Sequence, residues 1–294
     1  MDLLKECSKA LDRVSDITAN VYGDEIVDEY IYVNPNGKSG KETYLSVELT
    51  GKHDSFRGGV GGIARQMDQF CKVNHIKAPN LRPTIKTRYV HRPFAQKMFG
   101  VTQMAKPLDE KQRKHVIGRI GTIPNNGLLV IADFGHGAIV NPLDFVRDDL
   151  YTAVNVQTNS SNFGFNLATK YQEHYPDFLC IDEVEARLAT GNRYGDIEDV
   201  AMHLRAMDII ITRGHNGIYI HPDQPFDVLP ATIVDRMGAG DAVFSLASLL
   251  RYADVMDEVV GNLCLAIGAC ACGILGNSRP VTRDEILSVI GRIK

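Results

Sequence analysis

The sequence has no cysteine pair at C-x-x-C spacing, no excess of positive charge, and no run of about 18 uninterrupted apolar residues. Each absence removes a class of protein. Without paired spacing, Cys7, Cys71, Cys180, Cys264, Cys270 and Cys272 read as free thiols of a reducing compartment, most of them in apolar or helical surroundings. Without a long apolar run, no membrane span is expected. A net charge of -4 and a pI of about 6.1 do not suit a protein that works on nucleic acid or anionic membrane. The nine histidines show no H-E-x-x-H spacing, which argues against a zinc site. The opening "MDLLKECSKALDRV" is amphipathic, carries both signs of charge, and lacks the apolar core of a signal peptide, so the expectation is a cytoplasmic protein. There is no internal repeat and no low-complexity tract.

What is present is enough apolar residue for a sizeable core: 44% of 294 residues are hydrophobic. The chain reads as an α/β protein. Apolar strand runs such as "LLVIAD" (128–133), "YTAVNVQ", "FLCID" and "DIIITRG" alternate with amphipathic helices, the pattern of a mostly parallel sheet covered on both faces. Helices are expected near 108–121, over "NFGFNLATKYQEHY", near 183–206 and over 240–292. "ANVYGDEIVDEYIYV" (19–33) reads as strand, turn and strand, "NPNGKSGKE" as a polar turn, and "GGVGGIARQMDQFCKV" as glycines leading into a helix. The strands between about 30–56 and 84–103 alternate in polarity and look like a small separate sheet, a lid on a single domain spanning 1–294.

One stretch points to chemistry. "DRMGAGDAVF" (235–244) places Gly238, Ala239 and Gly240 directly before Asp241 and a helical apolar run. A helix opening on such small residues presents bare N–H groups and its positive dipole end, which suits an anion. Asp241 at the same end can take a proton from a hydroxyl attacking that anion. It can equally serve as a plain helix N-cap, and helix grammar alone favours that. Asp182 and Glu185 stand three apart at a helix start. They suit either a water-mediated Mg²⁺ site or an ordinary acidic first turn. Gly59, Gly61 and Ala64 satisfy the dinucleotide pattern G-x-G-x-x-A, but the polar "TGKHDSFR" before it is not the buried strand that motif needs. The glycines then either let a ligand approach the backbone or form a flexible turn. His136 and Arg236 are weaker candidates for touching a substrate.

The stretch "DRMGAGDAVFSLASLL" closely resembles the D-T-x-G-A-G-D signature of ribokinase-like (PfkB-type) carbohydrate kinases. Further segments resemble that family in order along most of the chain: "VYGDEIVDEYIYV", "FRGGVGGIARQM", "FLCIDEVEARL", "IITRGHNGIYI" and "LAIGACACGILGNSRPVTRDEI". "IADFGHGAI" and the tail are most like its heptose-phosphate kinase branch. The resemblance implies ATP-dependent phosphorylation of a sugar or sugar phosphate, with Asp241 as base and the amides of 238–241 as the γ-phosphate hole. It implies Thr212, Gly214, Gly217 and, more weakly, Asn262 beside ATP. Asp28, Gly58 and Gly59 would meet the sugar, and Asp182 and Glu185 the Mg²⁺. It also implies a homodimer paired through the lid. Arg57, Arg65, Arg88, Arg92 and Lys97 crowd the segments expected to line the sugar side, which suggests an acidic acceptor.

Three departures from the family pattern bear on this. Only "NHIKAPNLRP" stands where a further strand–helix unit is usual, so the sheet should be narrower. Gly62 replaces the family's sugar-binding Asn, and Asp182 replaces the Asn of N-x-x-E. They keep a second class open: a non-catalytic nucleotide-binding or scaffolding protein on the same fold.

Overall fold

A computed structural model describes residues 2–91, 96–171, 173–222 and 224–293. Its main sheet has eight strands, and the strongest apolar runs of the sequence lie at its centre. These are β7 (Leu128–Asp133), β8 (Tyr151–Val156), β9 (Phe178–Asp182) and β10 (Asp208–Thr212), all parallel, with β1 (Thr18–Gly23) and β4 (Lys72–His75) continuing the parallel order on one side. β11 (Ile218–His221) and β12 (Gln224–Phe226) complete the other side antiparallel. Every residue of β7 is buried, as a strand covered on both faces requires.

Two apolar clusters fill the two faces. One gathers β-strand side chains with α1 (Leu3–Arg13), α2 (Gly59–Met67), α6 (Ala239–Tyr252), α7 (Asp257–Cys272) and α8 (Arg283–Ile290). The other gathers α3 (Glu110–Ile120), α4 (Glu183–Thr190) and α5 (Ile197–His203). β4 is the edge strand, and from it the chain passes directly to the small sheet, with no further strand beyond β4 among the described residues.

The small sheet has the order β3-β2-β5-β6. β2 (Glu25–Lys38) and β3 (Leu45–Gly58) form a long hairpin, and β5 (Thr84–His91) pairs β2 in parallel and β6 (Gln96–Gln103) antiparallel. It starts at residue 25, with a single residue between it and the end of β1, so it rises from the carboxyl end of the main sheet. Asp24 makes that junction. Its buried carboxylate accepts the backbone N–H groups of Phe134, His136 and Ala138 and so fixes the loop after β7.

The structure differs from the sequence expectations in three places. "NPNGK" extends β2 as exposed strand instead of turning. The "KV" that ends the glycine-led helix segment opens β4. Most importantly, the described residues of "NFGFNLATKYQEHY" form no α-helix; among them, Ala168–Tyr171 makes a short 3₁₀ turn. The asparagines explain it. Asn159 and Asn162 accept N–H groups within their own loop, Asn162 and Asn166 donate to Gln157 O, and Phe163 and Gly164 take positive φ. Short polar side chains that bond neighbouring backbone compete with helix formation.

Candidate active site

The carboxyl ends of β7 to β10, the lid strands β2 and β5, and the start of α6 enclose a cavity of about 750 Å³. Ligands of open α/β sheets bind at this end of the strands. α6 opens at Gly238, its N-cap, in left-handed conformation with φ 78°. A Cβ there would overlap the side chain of Asn277, so glycine is required both by backbone and by space. No side chain caps the helix. Gly238, Ala239, Gly240 and Asp241 all line the cavity; the first turn of a helix leaves N–H groups without intrahelical partners, of which that of Ala239 donates to Arg236 O at 3.5 Å.

Asp241 is therefore not the N-cap. It sits three residues inside, in the first turn, and its Oδ1 accepts a hydrogen bond from Gln157 Nε2 at 3.0 Å. Burial, reinforced by the charge of Asp28, pushes its carboxyl up to about 7; Lys86 and the Gln157 bond act against that rise. A carboxylate that takes up a proton near neutrality, beside a helix start with no side-chain cap, can accept the proton of a nearby hydroxyl.

Asp28 faces the same cavity from β2 and is buried. Its Oδ1 accepts from Arg88 Nη1, and Lys86 is its register partner on the adjoining β5. A side chain at Gly58 would run into its Oδ2, so Gly58 keeps that carboxylate clear. Gly59 lines the cavity beside it. Lys86 was not apparent as a site residue in the sequence. Its spacing of two from Arg88 puts both on one face of β5, and both line the cavity. Burial lowers the Lys86 pKa, and Asp28 partly counters this.

The other expected cations divide. Arg88 is paired with Asp28, and Lys97 with Asp235 at 2.8 Å. Arg65 donates to the carbonyls of Asn277 and Ser278. Arg57 is exposed, and Arg92 lies outside the described residues. Arg236 lines the cavity with an exposed side chain.

At the opposite end, Thr212, Gly214 and Gly217 line the cavity as a group, at the β10 terminus and the turn into β11. Asn262 does not join them. It lies on α7, its Nδ2 donates to Glu258 O at 2.7 Å, and it is not among the lining residues. α7 meets the cavity instead through Cys264, Leu265, Gly268, Ala269 and Cys272.

Asp182 and Glu185 line the wall between. They form a reciprocal capping box for α4: Glu185 N–H donates to Asp182 Oδ1, and Asp182 N–H to Glu185 Oε2. Glu185 Oε1 also accepts from Thr158 N–H. Burial first, and Asp182 second, push Glu185 up to about 8. Each carboxylate oxygen has a second lone pair beyond these bonds, so the pair fits a hydrated cation held at one remove. No cluster of three or more ligating side chains able to hold a metal directly occurs among the described residues. His136 is buried away from the cavity, and burial drives its pKa down to about 4, so it stays neutral.

No protein-family model and no curated protein matches the sequence. Solved structures do match the fold. Phosphofructokinase-2 from Escherichia coli, in complex with fructose-6-phosphate, superposes with a TM-score of 0.71 over 94% of this chain and 98% of its own, at 12% identity. The Methanocaldococcus jannaschii nucleoside kinase, described as an archaeal member of the ribokinase family, gives 0.67 over 95% and 100%, at 12% identity. Ribokinase from Thermotoga maritima gives 0.67 over 94% and 99%, at 14% identity. The chain has the ribokinase-like fold of these sugar and nucleoside kinases.

Proposed function

We propose that the protein is an ATP-dependent kinase that phosphorylates a hydroxyl of a sugar or sugar phosphate. The observation that carries the reading is the shared cavity. A bare, glycine-opened helix start and a carboxylate with a pKa raised to about 7 stand together in it, with Asp28 on the lid side and the Thr212–Gly217 turn at the other. Phosphoryl transfer is mainly positioning and charge stabilisation, and this arrangement offers both.

Asp241 removes the proton of the attacking hydroxyl, and the amides at 238–241 receive the charge of the transferred phosphoryl oxygens. Asp28, kept clear by Gly58, accepts hydroxyls of the acceptor. Thr212, Gly214 and Gly217 border the nucleotide. Asp182 and Glu185 hold hydrated Mg²⁺, which when bound neutralises phosphate charge. Lys86 and Arg88 favour an acceptor carrying phosphate or carboxylate, and the segment "IADFGHGAI" favours heptose phosphates among these. The enzyme acts in the cytoplasm as a homodimer paired through the lid.

The test is acceptor-dependent ADP release with Mg-ATP across a panel of neutral sugars and their phosphates, preceded by thermal shift, since ligands of the native state raise its melting point. Turnover confined to phosphorylated or acidic sugars is the expected result. Equal turnover of a sugar and its phosphate removes the acidic-acceptor preference. Nucleotide binding with no turnover on any acceptor favours the scaffolding reading, which the glycine at 62 and the short sheet edge at β4 motivate.

A further inference from the structure

We propose that Gln157 is the positioning residue of this site: it holds Oδ1 of Asp241 so that the other carboxylate oxygen is turned to the acceptor hydroxyl. The inference rests on the reading of Asp241 as the base. Gln157 is the first residue past β8, and its backbone is held at several points. Its N–H donates to Asp133 O at 2.8 Å, and its carbonyl accepts from Asn162 Nδ2 at 2.8 Å and Asn166 Nδ2 at 3.1 Å. The next residue, Thr158, is tied by its N–H to Glu185. The asparagine-rich loop that abandons helical structure thus fixes one glutamine, whose Nε2 meets Asp241 Oδ1 at 3.0 Å inside the cavity.

This geometry has two consequences. A carboxylate held by one oxygen loses rotational freedom about its terminal bond, and a pre-oriented base needs no reorganisation during reaction. An amide N–H also favours the ionised form of its acceptor. The charged groups that act on Asp241 are Asp28 on β2, which opposes its ionisation, and Lys86 on β5, which aids it; across the site, the charge of Asp241 in turn helps to raise Glu185 on α4. Gln157 is the neutral donor among them.

The experiment uses the full chain with Gln157→Leu, Gln157→Glu and Asp241→Asn. Carboxyl-carbon NMR follows the titration of Asp241, and steady-state kinetics follow kcat and the KM for Mg-ATP and for the acceptor found active. In Gln157→Leu the Asp241 titration moves up by roughly one pH unit, the worth of a hydrogen bond to a charged group. At the same time kcat at neutral pH falls roughly tenfold and the KM for Mg-ATP is unchanged. Gln157→Glu, which keeps the shape and sets a second carboxylate against Oδ1, moves the titration further in the same direction. It also serves if the leucine variant does not fold. An unmoved titration in both variants overturns the proposal, as does a kcat loss accompanied by a raised KM for Mg-ATP. If Asp241→Asn retains turnover, or the wild type shows none, the base assignment falls and this proposal with it. A failure of Gln157 alone looks different: Asp241→Asn is inactive while Gln157→Leu behaves as wild type.

Discussion

Tyr30 of the lid donates its phenolic hydrogen to Oδ2 of Asp235, 205 residues away and at the head of the loop that opens α6. Lys97, from β6, bonds the other oxygen of Asp235 at 2.8 Å, and the Met237 N–H donates to it as well. One buried carboxylate therefore ties two lid strands to the turn that sets the helix start. Tyr30→Phe keeps the ring but removes the donor. It should destabilise the fold by about 1.5–3 kcal/mol, the range for a bond to a charged group. A urea midpoint lowered at constant slope is the expected reading; an unchanged midpoint means the tie is not energetic.

Asp241→Asn separates stability from turnover. The residue does not cap α6, so the amide should cost the fold nothing. Phosphoryl transfer should fall by roughly 10²–10⁴-fold, the usual contribution of a positioned base. The raised carboxyl adds a sign to the stability. A group that holds its proton more tightly folded than unfolded stabilises fully below its unfolded value and loses that contribution as pH rises through about 7. Wild type should therefore melt lower than Asp241→Asn at pH 8, with the gap closing towards pH 4. Wild-type turnover also requires the ionised form and should rise through the same window. Thermal melts and pH–rate profiles of both proteins check the two halves independently.

Most of the fold is readable from local pattern. The buried runs of β7 to β10 and the Gly238–Gly240 helix opening depend on neighbours within a few residues, and both lie where the sequence puts them. What is not readable is held by distant partners. "NFGFNLATKYQEHY" has helical apolar spacing, yet Asn162 and Asn166 reach the carbonyls of Phe134 and Asp133, near the end of β7, which the segment does not encode. Lys86 becomes a site residue only through its register with Asp28 across β2 and β5. Gln157 becomes one only through Asp241, 84 positions away. The capping alternative for Asp241 fails because Gly238, in left-handed conformation, takes the N-cap position three residues earlier; Asn277 then fills the space that a side chain at 238 would need.

Glu185 tests whether the capping box also serves a cation. Glutamine satisfies an N3 capping position as glutamate does, but its amide nitrogen cannot accept the second N–H, that of Thr158, so Glu185→Gln should keep α4 while lowering the melting temperature by the worth of one hydrogen bond. If the pair holds hydrated Mg²⁺, the Mg²⁺ concentration for half-maximal turnover should rise roughly 10–100-fold, as for other groups acting on a metal through its ligands. Titrating Mg²⁺ at fixed ATP gives the answer. An unchanged requirement leaves the two carboxylates with the structural role alone.

The lid's outer strands carry the last expectation. β3 and β6 are the edges of a four-stranded sheet, and they expose Leu49 at 65% and Val101 at 55%. Unpaired edges with apolar side chains favour pairing with another chain, and lysine on an edge discourages it. A second copy of the same lid would cover both strands around a two-fold axis, as isologous dimers do. Light scattering of the wild type at micromolar concentration should then report about twice the chain mass of 32.5 kDa. Leu49→Lys together with Val101→Lys should bring it to the monomer without lowering the melting temperature of the main sheet, because neither side chain reaches its core. A wild type that is already monomeric at that concentration removes the lid as an interface, and a double variant that stays dimeric moves the interface elsewhere.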